Sequence, residues 1–162
     1  MGKEINRIRL NRLYSENNVI EEIIFHDGVN IILGEKYDDR SVKGRKTNGV
    51  GKSMSIEFLD FCFLNDYEKS RIVKIPKEVF PVEENVILDL DIGQETVTIK
   101  RNRKQADKPI LIREGKTVSF DKIQDARDYL TGIIFSKLNG KKVPSFRNLF
   151  SILMRDERSE FT

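Results

Sequence analysis

The sequence predicts an α/β lobe in which a mixed sheet carries a helix launched from a glycine-containing loop, with antiparallel hairpins beside it. Three observations predict this. The apolar stretch Val29-Asn30-Ile31-Ile32-Leu33 ends in Gly34. The run Thr47-Asn48-Gly49-Val50-Gly51-Lys52-Ser53 precedes a segment with helical apolar spacing. Two later stretches alternate apolar and polar residues around Gly93-Gln94. A strand, a polar loop and a buried helix in that order is an α/β signature.

The elements follow in chain order. Ile5 to Leu13 sets Ile, Ile and Leu between Arg and Asn, the period of a half-buried strand. Val19 to Phe25 reads as a second strand, Asp27-Gly28 as a turn, and Val29 to Leu33 as a third strand. Gly34 to Val50 is polar. A helix is expected from about Gly51. Its apolar residues Ile56, Phe58, Leu59, Phe61, Cys62 and Phe63 cover most of its circumference, so it should be buried on more than one side. Tyr67 to Glu84 is irregular, broken by Pro76 and Pro81. Val86 to Ile92 and Thr96 to Arg101 form a hairpin around Gly93-Gln94. A second hairpin joins Ile110 to Arg113 and Thr117 to Phe120. Asp121 caps a helix running to about Phe135, and Pro144-Ser145 opens a last one, Phe146 to about Glu157.

The bulk numbers narrow the function classes. At 162 residues, with 38% hydrophobic and 34% charged, the chain suits one domain with a real core. No apolar run approaches the ~20 residues of a membrane helix. The lone Cys62 allows no internal disulfide, so a cytoplasmic location and no membrane partner are expected. Cys62 lies between Phe61 and Phe63 and reads as packed core. His26 has no second histidine to make a metal pair and reads as a turn residue.

The chemistry concentrates at residues 47–53. A triphosphate needs several backbone N–H groups converging on its oxygens. Gly49 and Gly51 let the backbone curl closely enough, and Asn48, Val50, Gly51, Lys52 and Ser53 offer N–H donors at a helix start. Lys52 would reach the phosphates and the Ser53 hydroxyl would coordinate Mg2+. The pattern lacks its usual first glycine: Lys46 stands there. Gly34 ends the preceding strand, so an inserted loop over 35–46 explains the spacing. The reading is a P-loop NTPase with ATP and Mg2+ as cofactors and Gly34, Asn48, Gly49, Val50, Gly51, Lys52 and Ser53 as binding residues.

A strand ending in glycine, followed by Asn-Gly-Val-Gly-Lys-Ser, resembles the ABC-type heads of the SMC, RecF and RecN group of coiled-coil ATPases. The looped-out segment after Gly34, the run Ile56-Glu57-Phe58-Leu59-Asp60-Phe61-Cys62-Phe63 and the stretch Ser145-Phe146-Arg147-Asn148-Leu149 look closer to the bacterial YydD-like subset, some of it found in phage-defence clusters. The resemblance implies that residues 1–162 are the single amino-terminal lobe of an ABC-type ATPase head. A coiled coil and a carboxy-terminal half would then lie beyond 162, and a second head would close over the ATP. DNA repair, chromosome maintenance or phage defence would be the setting. In such heads an arginine after the first strand can touch nucleotide; Arg12 or Arg9 would have to fill that role here. None of Gln94, Gln105 and Gln124 sits where a Q-loop glutamine should, and the Arg155–Arg158 stretch is where its equivalent is expected.

No catalytic residue is assigned within the chain. A Walker B element needs a buried apolar strand ending in Asp. Val86-Ile87-Leu88-Asp89 resembles one, but Leu90-Asp91-Ile92 continues the alternation of a half-exposed strand. No signature motif occurs either, so the chain alone is expected to be inactive in hydrolysis. Positive charge gathers in two places. Lys36, Arg40, Lys43, Arg45 and Lys46 read as a flap near the nucleotide. Lys100, Arg101, Arg103, Lys104 and Lys108 read as a solvated hairpin tip or as a phosphate-contacting surface, with Lys100, Arg101, Arg103 and Lys104 the candidate DNA contacts. The rival readings are a self-contained P-loop kinase or GTPase and a nucleic-acid-binding module with an empty P-loop.

Overall fold

The computed structural model describes residues 6–32, 52–136, 138, 143 and 145–153. They form a six-stranded sheet with three helices. The strands are β1 (Ile8–Ser15), β2 (Ile23–Ile24), β3 (Val86–Ile92), β4 (Glu95–Arg101), β5 (Ile110–Arg113) and β6 (Lys116–Ser119). The helices are α1 (Lys52–Cys62), α2 (Ile123–Ile134) and α3 (Phe146–Leu153). Sheet order is β2-β1-β3-β4-β5-β6, and every pairing is antiparallel.

This corrects the expected fold class. A P-loop NTPase lobe, or the amino-terminal half of an ABC-type ATPase head with a mixed sheet, calls for parallel pairing. The described strands have none, and three helices accompany a sheet that is antiparallel throughout. The physical reason lies in the apolar run before Gly34. A strand exists only as a paired ladder. Among the described residues nothing pairs with residues 29–32, and Val29 is 89% exposed and Ile31 74% exposed. The second expected strand shrinks to Ile23–Ile24.

The hairpins form as their alternation requires. Val86, Leu88, Leu90 and Ile92 of β3 and Val97, Ile99 and Arg101 of β4 face the same core, because side chains two apart share a face. Gly93 supplies a φ of +66° in the β3–β4 turn. In the β5–β6 turn Glu114 and Gly115 both take positive φ, 49° and 75°, the combination whose twist suits a two-residue hairpin.

β1 carries a bulge. Its register with β3 shifts between Leu10 and Arg12, leaving Asn11 without a partner there. Ile8 and Leu10 pack toward the core before the bulge; Leu13 and Ser15 are buried after it. One extra residue has moved the inward face from even to odd positions. The Asn11 carbonyl instead accepts the Phe25 N–H at 2.9 Å.

α1 packs on β3, β4 and a short 3-10 turn, Arg71–Lys74. Phe58, Leu59, Phe61 and Cys62 are buried, as are Phe63 and Leu64 just beyond it. The helix ends in a Schellman motif: Asn65 N–H donates to the Asp60 carbonyl and Leu64 N–H to the Phe61 carbonyl, at 3.2 and 3.0 Å. The left-handed position is Leu64, φ +62°, where glycine is usual. That conformation costs a non-glycine residue about 1–2 kcal/mol, and complete burial of the leucyl side chain offsets it.

α2 buries Ala126, Leu130, Ile133 and Ile134 along one stripe. Asp121 is not its cap. Lys122 occupies that position with no side-chain bond, and the Asp121 carboxylate lies 3.4 Å from Lys108. α3 sets Phe146 and Phe150 against Phe63, with ring centroids 6.3 and 4.3 Å apart. Among the described residues no helix is long and apolar enough to cross a membrane.

Truncating the centre of the inward face should hurt and trimming the open edge should not. Leu88→Ala is expected to lower unfolding free energy by about 2–5 kcal/mol, and Ile24→Thr on the exposed β2 edge by no more than about 0.5 kcal/mol. Urea denaturation curves of the two variants check this.

Candidate functional site

α1 is described from Lys52, so the Gly-Lys-Ser run leads into it and Lys52 and Ser53 lie in the first described turn. N–H groups there lack intrahelical partners, and the aligned peptide dipoles favour an anion. That turn contains no acidic residue. The first carboxylate along the helix, Glu57, is already engaged. It accepts from the Ser70 hydroxyl and the Arg71 N–H, both at 3.1 Å, and from Arg71 Nε at 2.8 Å. The described part of the site therefore offers donors and no repelling charge. Gly34, Asn48, Gly49, Val50 and Gly51 lie outside the described residues, as does the side chain of Lys52. The 35–46 loop with its basic flap and the Arg155–Arg158 stretch lie outside them too.

The opposite end of α1 is where sequence reading missed the central residues. Arg101 of β4 is 1% exposed. Its Nη1 donates to the Phe61 and Asn65 carbonyls, each at 2.7 Å, and its Nε to the Ala106 carbonyl at 2.6 Å. Its guanidinium lies over the Phe61 ring, 4.2 Å from the centroid, while Nη2 has no partner. Burial lowers its pKa to about 10, so it stays charged at neutral pH. Arg127 of α2 donates to the Leu64 carbonyl from Nε and Nη2, at 3.0 and 2.7 Å, and to Asp66 at 2.6 Å. Arg147 of α3 donates from Nη1 to Asp60 at 2.7 Å and to the Phe63 carbonyl at 3.0 Å. Three arginines from three elements thus converge on the carbonyl end of one helix.

The convergence corrects the expectation for Arg101 as a DNA contact. Arg101 cannot meet a phosphate backbone, because alternation along β4 turns it into the core. The same alternation sends Lys100 to the other face, where it lies 3.5 Å from Glu16. Arg103 spends its donors on the Phe80 and Val73 carbonyls and the Tyr67 hydroxyl. Lys104 is exposed and lies 3.3 Å from Glu83. The four residues do not make one basic surface.

The outer face of the sheet carries a paired polar network around Arg12 and Asp89. Arg12 donates to Asp89 at 2.7 Å, Glu22 at 3.1 Å and the Tyr14 hydroxyl at 3.3 Å. Asp89 also accepts from Thr98 at 2.6 Å. The Asp89 hydrogen bond raises the Arg12 pKa, and burial raises that of Tyr14. Asp89 thus sits mid-strand rather than at a strand end, in a β3 that is more buried than the alternation suggests: every β3 residue but Asp89 and Asp91 is buried. Arg9 pairs with Asp27 at 3.1 Å. The two arginines considered for a nucleotide role are both committed to carboxylates. Cys62 is buried, and burial pushes its thiol pKa up.

Over 92 residues the chain is 32% identical to the uncharacterized protein YydD of Bacillus subtilis (strain 168). The match covers 54% of this chain and 14% of that protein. No family model matches the chain, and no solved structure matches it. The likeness shown is to part of YydD, and no match supports the wider resemblance to the SMC, RecF and RecN group. The absence of a structural match agrees with the correction of the fold class.

Two measurements test the arginine cluster. Arg101→Met should cost on the order of 3 kcal/mol, since buried carbonyls lose their donors at about 1–3 kcal/mol each. Lys104→Ala should change stability by no more than about 0.5 kcal/mol. Denaturant unfolding separates the two. The second concerns acid. A hydrogen bond from Lys69, then one from Arg127, holds the Asp66 carboxyl down from 3.8 to about 2. A depressed acid stabilises the fold above its ordinary pKa, and that contribution is lost as pH falls through the folded value. The melting-temperature gap between wild type and Asp66→Asn should be full above about pH 4 and close toward pH 2.

Proposed function

We propose that residues 47–53 and the first turn of α1 bind the triphosphate of ATP together with Mg2+. One observation carries the reading: the described part of α1 runs from Lys52, so the Gly-Lys-Ser run leads into a helix, the setting in which backbone N–H groups meet an anion. The residues present suit the group. The first turn holds no acid, and Ser53 sits there to offer a hydroxyl to a magnesium ion, which takes oxygen ligands and keeps several waters. Bound magnesium would neutralise phosphate charge.

Hydrolysis needs a group that orients or activates water in line with the γ-phosphate. Glu57, Asp60, Asp66 and Asp89 are each tied to an arginine, so the proposal assigns that group to other parts of a longer coiled-coil ATPase. On this reading the chain is its nucleotide-binding part, and a second copy completes the site. The likeness to a small fraction of YydD supports only the chain's being part of something larger.

Calorimetric titration of Mg-ATP into wild type and Lys52→Ala tests the proposal. Loss of one charge-assisted contact is worth about 1.5–3 kcal/mol, so the variant should bind roughly 10- to 150-fold more weakly. Omitting Mg2+ should weaken wild type and leave Ser53→Ala little changed. Equal affinity of Lys52→Ala and wild type would refute the assignment.

A further inference from the structure

α1 is held unevenly. Residues 58–59 and 61–64 are buried, whereas Ser53, Met54, Ser55, Ile56 and Glu57 are only half-buried. The three arginines all grip the buried end. At about 1.5 Å per residue the 11-residue helix is roughly 16 Å long, so a tilt of about 4° at its carbonyl end moves its first turn by about 1 Å. We infer that Arg101, Arg127 and Arg147 are positioning residues that fix the direction of α1 and so aim its first turn; the consequence for ligand affinity rests on the phosphate reading above.

The chemistry suits this role. Packing of Phe58, Phe61 and Phe63 resists separation of helix and sheet, but apolar contact is not directional. Hydrogen bonds to named carbonyls are directional. Arg101 comes from β4, Arg127 from α2 and Arg147 from α3, so the carbonyl end is triangulated from three elements. The Schellman turn at Leu64 presents the Phe61, Phe63, Leu64 and Asn65 carbonyls to them. The cations also sit where the helix dipole is negative, which leaves the N–H end oriented toward an incoming anion. A misplacement of about 1 Å in a site can cost up to about 100-fold; loss of one grip of three should cost less.

Arg147 is the residue to change, since it is partly exposed and its loss leaves the other two arginines in place. In Arg147→Met, amide exchange at Ile56 and Glu57, the first amides bonded within the described helix, should quicken about tenfold, while β3 and β4 amides keep wild-type rates. Arg147→Lys should restore slow exchange, because a single Nη1 makes both the Asp60 and the Phe63 contacts and an ammonium can reach the same two acceptors. Leu111→Ala on β5 serves as the control for general loss of stability and should leave Ile56 and Glu57 unchanged relative to the sheet. Mg-ATP affinity should fall about five- to tenfold in Arg147→Met and stay level in the control. Equal acceleration in Arg147→Met and Leu111→Ala would overturn the inference. If wild type binds no Mg-ATP, the nucleotide reading fails, and the exchange comparison still decides whether the arginines aim the helix.

Discussion

The structure depends on where the charge of Arg101 goes. Removing a guanidinium from water costs several kcal/mol unless its donors are satisfied. Here no carboxylate hydrogen-bonds it. Three backbone carbonyls and the face of Phe61 take that part. Two of those carbonyls, Phe61 and Asn65, lie at the end of α1, where the summed peptide dipoles are negative; the third, Ala106, closes the loop after β4. One side chain therefore joins strand, helix and loop. A methionine of similar length would fill the space and leave acceptors bare. A lysine offers one point of donation where a planar fork meets three directions at once.

Much of this was readable, though not by counting charge. The hairpins follow from period-two alternation and from Gly93 and Gly115, since register and turn are both local properties. The buried stripe of α2 is likewise visible as Ala126, Leu130, Ile133 and Ile134. Arg101 looked like part of a basic cluster because its sequence neighbours are Lys100, Arg103 and Lys104. The parity of β4 says otherwise. Val97, Ile99 and Arg101 share a face, so an arginine in line with two core residues belongs to the core. Pattern outranks composition wherever a strand is buried on one side.

Other features are not written locally. The Asn11 bulge depends on register against β3, more than 70 positions away in sequence, and it alone turns Leu13 inward. A left-handed leucine at position 64 has no sequence signal, since glycine is the residue expected there. It becomes tolerable only because a pocket exists for its side chain. The stretch from Val29 reads as a strand for the opposite reason. Its composition is right, but strands are made by neighbours, and none of the described residues supplies one. Arg127 and Arg147 were equally hidden: each sits in a helical pattern with nothing to distinguish it from a solvated cation.

The difference between the expected and observed fold bears on how the phosphate reading should be weighed. A mixed sheet is expected from the motif, yet the motif constrains only its own surroundings: a curled backbone, a cation and a helix start. None of these requires a particular strand order. The antiparallel sheet removes the argument by fold and leaves the argument by site. That argument rests on what the first turn of α1 can do, and electrostatics there is set by residues close to it. An acid-free first turn, with Glu57 already satisfied by Ser70 and Arg71, is a favourable setting for an anion in any sheet topology. What the sheet does contribute is direction. β4 holds the far end of the helix through Arg101, and a donor array binds a multiply charged ligand only if its N–H vectors keep a fixed aim. Arg101, one of four residues read as nucleic-acid contacts, thus serves the interior of the protein, and its influence on a ligand would come through the geometry of the helix.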